Sequence, residues 1–206
     1  TGQGIVLEDC SVFLNGEWGV ELIGDPETAG VVSAARVDLL STFGGTAPTV
    51  PEDQAQMILK GTTISDNRAG GMHIQAAIAI IESSVFTSNE GFGLFVDGES
   101  VIDFVDAPEP TEITANALGG VLVKDATFTL RGTALVQGNI GVGVQAEDAQ
   151  LTLSGATVRD HESTAVLYLR SEGSVIDSLI EGNAGVGLIA DEGSSVAVSN
   201  STVRSQ

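Results

Sequence analysis

The chain has 206 residues, with 28 acidic against 8 basic side chains and a formal net charge of −20. That surplus excludes a nucleic-acid surface, which needs cations against phosphate, and adhesion to anionic lipid. No apolar run reaches the roughly 20 residues of a membrane span, and a single cysteine, Cys10, excludes an internal disulfide or a cysteine zinc cluster.

In chain order, the elements repeat. Ile5 and Leu7 are the inward positions of a short strand, because period-two alternation buries one face. Cys10, read as a small, buried and inert residue, and Val12 form the next inward pair. Asn15 marks a turn, and four residues later Gly19 opens an alternation at Val20 and Leu22. The same order then recurs. The marks are Asn15, Asn67, Asn89, Asn116, Asn139, His161, Asn183 and Gln206, in steps of 52, 22, 27, 23, 22, 22 and 23. Each mark but the last is followed four residues on by a small residue: Gly19, Gly71, Gly93, Gly120, Gly143, Ala165 and Gly187.

Every unit holds three short strands. The first carries inward pairs such as Met72/Ile74, Leu94/Val96, Val121/Val123, Val144/Ala146 and Leu188/Ala190. An acidic or Gly-Ser turn follows, then the second strand, with Met57/Leu59, Ile78/Ile80, Phe128/Leu130, Leu151/Leu153 and Val196/Val198. The third reads Thr62/Ile64, Ser83/Val85, Thr133/Leu135, Ala156/Val158, Ser178/Ile180 and Ser201/Val203.

Units of this length with three strands cannot be helix pairs, and none can bury its own apolar face. Stacking them in parallel does, so the chain is all-β, a single-stranded right-handed parallel β-helix (a solenoid) of about eight coils. Residues 1–206 form one such domain, and the open coil ends read as those of a piece of a longer protein. The Asn marks then stack as a ladder in which each amide donates to one neighbour and accepts from the other. His161 is a structural substitute in that ladder, and the Gly after each mark supplies a backbone conformation that a Cβ resists. The long first step places an insertion at residues 25–55, either a long loop with a short helical piece at "SAARVDLL", which is the favoured reading, or one degenerate coil plus a loop, and "DAPEPTE" (106–112) bulges before a third strand.

The repeats "LNGEWGVEL", "SDNRAGGMHI", "SNEGFGLFV", "ANALGGVLV", "GNIGVGVQA" and "GNAGVGLIA" resemble the parallel β-helices of the pectate-lyase-like superfamily. The likeness covers almost the whole chain. It implies the fold, and it leaves function open among lyases, hydrolases, epimerases, adhesins and phage tailspikes. In carbohydrate-active members the chemistry sits on the outer face of the first sheet. Here that face carries Glu21, His73, Phe95, Leu122, Gln145, Leu167 and Ile189, with Gln75, Asp97, Lys124, Glu147 and Asp191 beside them.

Asp97, Lys124 and Glu147 come nearest to a lyase set of acidic calcium ligands beside a proton-abstracting base. His73 stacked over Glu21 is a possible acid–base pair. Phe95, Leu122, Leu167 and Ile189 form an apolar outer face that suits a binding partner or an intrachain cover. The acidic first turn, with Asp97, Glu99, Asp125, Glu147, Asp148, Glu172, Asp191 and Glu192, is a solubilising ridge by default and a weak Ca²⁺ candidate at Asp97, Glu99, Glu147 and Asp148. The outward column of the third strand, Ser11, Thr63, Ser84, Ala134, Thr157, Leu179 and Thr202, is too broken for an ice-matching array.

The residues therefore favour a non-catalytic segment of a large extracellular or cell-surface protein: scaffold, adhesin-like or glycan-contacting. The expected partners are the remainder of a longer chain, neighbouring domains or a polysaccharide, with no nucleic acid, no membrane insertion and no obligatory cofactor. A lyase-like polysaccharide-active enzyme is the alternative, and an end-to-end filament subunit is the third reading.

Overall fold

The computed structural model describes residues 5–23, 56–98, 100–105, 107–132 and 134–204. The 25–55 insertion, Glu99, Thr133 and Gln206 lie outside the described residues. Three parallel sheets of seven, eight and eight strands wrap one core. The seven-stranded first sheet follows the small-residue marks and comprises Trp18–Ile23, Gly70–Gln75, Phe92–Asp97, Gly119–Lys124, Val142–Glu147, Val166–Leu169 and Leu188–Asp191. Each strand pairs with its copy one coil on. Val20 faces Met72, then Leu94, Val121, Val144, Val166 and Leu188. Because Trp18–Ile23 pairs directly with Gly70–Gln75, no coil intervenes across the 52-residue step. Among the described residues no helix is long and apolar enough to cross a membrane.

Two stretches of the expected register are corrected. Ile78 and Ile80 face outward, while Ala79 and Ile81 pair with Met57 and Leu59 and are buried. The run Ile78-Ala79-Ile80-Ile81 is apolar at both parities, so alternation alone cannot choose its face, and a one-residue slip inverts it. In the third sheet Ser84/Phe86 and Ala134/Val136 point inward, where the expected pairs put Val85 and Leu135; the first slip follows that of Ile78–Ile81, and the second arises after a strand, Phe128/Leu130, that is buried as expected. The outward third-sheet column is accordingly Ser11, Thr63, Val85, Glu112, Leu135, Thr157, Leu179 and Thr202.

One coil breaks the alternation by exchanging volumes. Tyr168 replaces the small Ala146 inside the first sheet, is fully buried, and donates its hydroxyl to the Leu151 carbonyl at 3.3 Å. Opposite it, Gly173 stands where the neighbouring coils carry Leu151 and Val196. A Cβ on Gly173 would lie 2.9 Å from the Tyr168 ring and 1.9 Å from the Leu151 carbonyl oxygen. Burial pushes the Tyr168 phenol well above its ordinary pKa.

Inside the turns the Asn ladder forms as a doubled hydrogen-bond chain. The Oδ1 of Asn89 accepts both the backbone N–H (3.1 Å) and the Nδ2 (2.9 Å) of Asn67, and Asn116 and Asn139 repeat the arrangement. The Nδ2 groups of Asn89, Asn116 and Asn139 also reach a carbonyl on the preceding coil, as in Asn116 Nδ2 to Phe86 O at 3.1 Å. The other two turns carry their own ladders of hydroxyls. Ser84, Thr111, Ser178 and Ser201 accept backbone N–H groups at one, and Ser100, Ser171 and Ser194 do so at the other. Cys10 opens the first of these columns as a buried thiol, with Sγ 3.2 Å from the Glu8 carbonyl.

The glycines after the marks have a different reason from the one expected. Gly19, Gly71, Gly93, Gly120 and Gly143 do not have positive φ. They are needed for space: a Cβ on Gly93 would sit 2.7 Å from Asn116 Nδ2 and 2.6 Å from Ile113 Cγ2. The left-handed conformation falls instead on the residue before each mark, at Leu14, Asp66, Ser88, Ala115, Gly138, Asp160 and Gly182.

Candidate functional site

The outer face of the first sheet is built by one register column, Glu21, His73, Phe95, Leu122, Gln145, Leu167 and Ile189. All seven are half-buried. Beside it runs Trp18, Gly70, Phe92, Gly119 and Val142, in which large residues alternate with glycine. The alternation is steric. The six-membered ring of Trp18 lies over Gly70, where a Cβ would fall 2.2 Å from Cζ3, and Phe92 lies over Gly119 in the same way, at 2.7 Å.

Trp18 thereby reaches the next column. Its ring centroid is 5.3 Å from that of His73 and 5.9 Å from that of Phe95, and His73 and Phe95 are 4.8 Å apart and nearly parallel, at 8°. These three distances describe a triangle, so the rings form a compact cluster and not a linear stack. Carboxylates bracket the cluster at His73. Glu21 Oε1 is 3.5 Å from Nδ1, and Asp97 Oδ1 is 3.4 Å from Nε2. The Asp97 contact is a hydrogen bond. The Glu21 contact is not a hydrogen bond and becomes an ion pair only with a protonated ring, and the buried Nδ1 has no hydrogen-bond partner.

The chemistry of this group follows from its donors and acceptors. A neutral imidazole has one N–H, and an imidazolium has two. With a carboxylate at each nitrogen, only the imidazolium donates to both; the neutral ring leaves one carboxylate facing a lone pair. The arrangement can hold a proton at Nε2 and pass it to Asp97, its hydrogen-bond partner, while Nδ1 faces Glu21 without a hydrogen bond. Around it the aromatic rings supply apolar surface with quadrupolar faces.

The remaining sequence candidates are placed as follows. Leu122, Leu167 and Ile189 continue the apolar stripe, and Gln145 interrupts it, donating from Nε2 to Glu147 Oε1 at 2.6 Å. Lys124 and Glu147 are register partners, but Lys124 is exposed and makes no ion pair among the described residues. Asp97 is thus turned to His73 and Glu147 to Gln145, and the expected set of Asp97, Lys124 and Glu147 is not drawn together. Asp148 is held by Arg170, through Nε at 2.9 Å and Nη2 at 3.0 Å, and Arg170 also bonds Glu192. Hydrogen bonding from that guanidinium holds the Asp148 carboxyl below its usual range, and the same pair raises Arg170. Among the described residues no group of three or more His, Cys, Asp or Glu is placed to hold a metal ion.

Trp18 and Phe92 were missed by the sequence reading because each precedes its mark glycine, outside the alternation that identifies the strand. A signal was present: an aromatic before the mark glycine in one coil, and a second glycine there in the next, as in "EWGV", "AGGM", "GFGL" and "LGGV".

His161 is fully buried in the ladder. Its Nδ1 accepts the Asn139 N–H at 3.1 Å, and its own N–H donates to Asn183 Oδ1 at 3.1 Å. That places the ring proton on Nε2, which has no hydrogen-bond partner. Burial pushes the His161 pKa below its ordinary value, outweighing nearby groups that favour protonation.

No protein-family model matches the sequence, and no curated protein matches it. Among solved structures the chain resembles the periplasmic alginate epimerase AlgG, with a TM-score of 0.57 at 15% identity, covering 74% of this chain and 46% of that one. A point mutant of the same epimerase gives a TM-score of 0.59 at 14% identity, covering 73% and 46%. The chain thus spans about half the length of these structures. At such identity the likeness establishes the fold alone: this chain is a right-handed parallel β-helix.

Proposed function

We propose that this chain is a β-helical segment of a larger extracellular or cell-surface protein, and that the outer face of its first sheet contacts a saccharide. The observation that carries the reading is the cluster of Trp18, His73 and Phe95, bracketed by Glu21 and Asp97. Half-buried aromatic rings beside fixed hydrogen-bonding groups suit the apolar faces and hydroxyl edges of a sugar ring. The stripe continuing through Leu122, Leu167 and Ile189 gives the surface length enough for a chain-like ligand. The solved structures of the same fold belong to an enzyme of alginate, which supports a polysaccharide as the class of partner and says nothing of its charge. The test is migration through gels containing immobilised polysaccharides. At least one polysaccharide is expected to retard the wild type, with retardation lost in Trp18→Ala and Phe95→Ala. Unretarded wild-type migration in every gel sinks the reading.

A second reading, a polysaccharide-active enzyme, is favoured by one observation: both nitrogens of His73 face carboxylates, an arrangement suited to proton transfer. Its test follows the absorbance of unsaturated uronates with acidic polysaccharides, with and without Ca²⁺. A rise that is lost in His73→Ala or Lys124→Ala establishes a lyase; no rise with any substrate removes that activity.

A further inference from the structure

We infer that this surface selects uncharged sugar units and excludes uronates, with Glu21 and Asp97 as the specificity-determining residues. The inference rests on the saccharide reading above and names its ligand class.

The charge in contact with the ring cluster is acidic: Glu21 and Asp97 flank His73 directly. At the turns leading into the sheet the exposed Glu17 is answered by the exposed Arg68 one coil on, so those two leave the sign at the cluster unchanged. Lys124 is the one cation on the described strands of this sheet, and it lies one coil beyond Asp97 and outside the cluster. His73 does not reverse the sign. With a neutral ring the group of Glu21, His73 and Asp97 carries two negative charges, and with an imidazolium it still carries one. The long-range field of a chain with net charge −20 has the same sign, so it opposes the approach of a polyanion before any contact is made.

The hydrogen-bond inventory points the same way. An ionised carboxylate is acceptor-only, with about four lone-pair sites. Glu21 and Asp97 each turn one oxygen to His73, and the carboxylates keep further acceptor capacity. Sugar hydroxyls are donors and match it. A uronate carboxylate is acceptor-only as well, and setting it against Glu21 or Asp97 puts like charges and unmatched lone pairs together. In the absence of a bridging cation nothing in the cluster compensates that contact. The two carboxylates stand two coils apart, on the order of 10 Å, so they span the ring cluster and meet a ligand at both of its ends.

The chain's single tryptophan is Trp18 itself, so its fluorescence reports on this site and nowhere else. The experiment titrates the full chain in low-salt buffer containing a calcium chelator. One arm uses neutral cello-, xylo- and manno-oligosaccharides, and the other uses oligoalginate and oligogalacturonate of matched length. A Trp18 response is expected with a neutral series, and at least tenfold weaker binding is expected with both uronate series. The double variant Glu21→Gln/Asp97→Asn, checked for folding by circular dichroism, is expected to narrow that gap by tenfold or more. If oligoalginate or oligogalacturonate binds the wild type as tightly as the neutral sugars do, the selectivity is wrong while the saccharide surface stands. If the double variant folds and the gap does not narrow, Glu21 and Asp97 do not set the preference. If neither class perturbs Trp18, the saccharide reading fails and this inference fails with it.

Discussion

Of the two histidines of this chain one points inside a turn and the other outside a sheet, and the contrast separates what the repeat demands from what it permits. His161 lies inside a turn, in a column otherwise filled by Asn, with its backbone N–H and Nδ1 taken by the coils on either side. His73 lies outside the first sheet, in a column of mixed chemistry, with carboxylates at both nitrogens and rings beside it. The inner column has one job, which is to satisfy backbone groups that water cannot reach. Any residue there must accept from one neighbour, and His161 does so at the cost of an orphaned Nε2. The outer column has no such duty, so its residues vary from coil to coil, and a cluster of rings and charges can gather there. Inner substitutions should therefore damage stability, and outer ones should damage ligand contact.

The largest effect is expected at the centre of the ladder. Asn116→Leu removes the acceptor for the Asn89 N–H and Nδ2 and the donor to Asn139 Oδ1 and Phe86 O. Leaving such buried groups unmade should cost about 3–5 kcal/mol in urea unfolding. A loss below about 1 kcal/mol would mean that water replaces the amide and that the ladder is dispensable.

Next come the glycines that let the coils approach. Gly93→Ala drives a Cβ into Ile113 and Asn116 and should cost about 1–3 kcal/mol. Gly16→Ala meets nothing within 4 Å and should stay within about 0.5 kcal/mol. Equal losses at the two sites would return the explanation to backbone conformation.

His161 sharpens the contrast through pH. Its folded pKa is lowered, so the unfolded chain binds the proton more readily. Its contribution is fully present above the unfolded value near 6.5 and is lost as pH falls through the folded pKa. The urea midpoint should therefore drop on acidification below that value. His161→Asn should remove that component of the slope and, by restoring a continuous ladder, raise stability by about 1 kcal/mol. An unchanged slope in the variant would assign the acid sensitivity to other groups.

On the outer face, His73→Ala should cost about 1 kcal/mol, because the half-buried ring leaves its contacts with Trp18 and Phe95, and it should abolish the saccharide-dependent change in Trp18 emission. The smallest effect is expected at Arg170→Ala. Its pairs with Asp148 and Glu192 lie in solvent, so the change should be slight and should vanish in high salt. A salt-independent loss there would show that the acidic ridge needs its guanidinium.

The repeat was legible because each of its residues answers a local need that recurs every coil. Alternation marks the strands, Asn marks the ladder, and the small residue four positions on marks the close approach. Legibility failed where local rules conflict or fall silent. Ile78 through Ile81 is apolar at both parities, and the inward Tyr168 is balanced by Gly173 on another sheet, a compensation that no single strand reveals. The site was partly legible. Glu21, His73 and Phe95 fall in one column once the period is known, and Asp97 falls in the next. Trp18 was not visible as a member, since it stands outside the alternating pairs and reaches His73 only by crossing Gly70.

From the amino acids alone follow the parallel β-helix, its three strands per coil, the inner ladder and the outward column, because these depend on a period of about 22 residues and on which side chains tolerate burial. Stacking in three dimensions settles the rest. It turns Asp97 to His73 and away from Lys124, sets Arg170 among the acidic turns, and closes three rings into one cluster. Those outcomes depend on side-chain reach between columns and between coils, a distance that chain spacing does not encode.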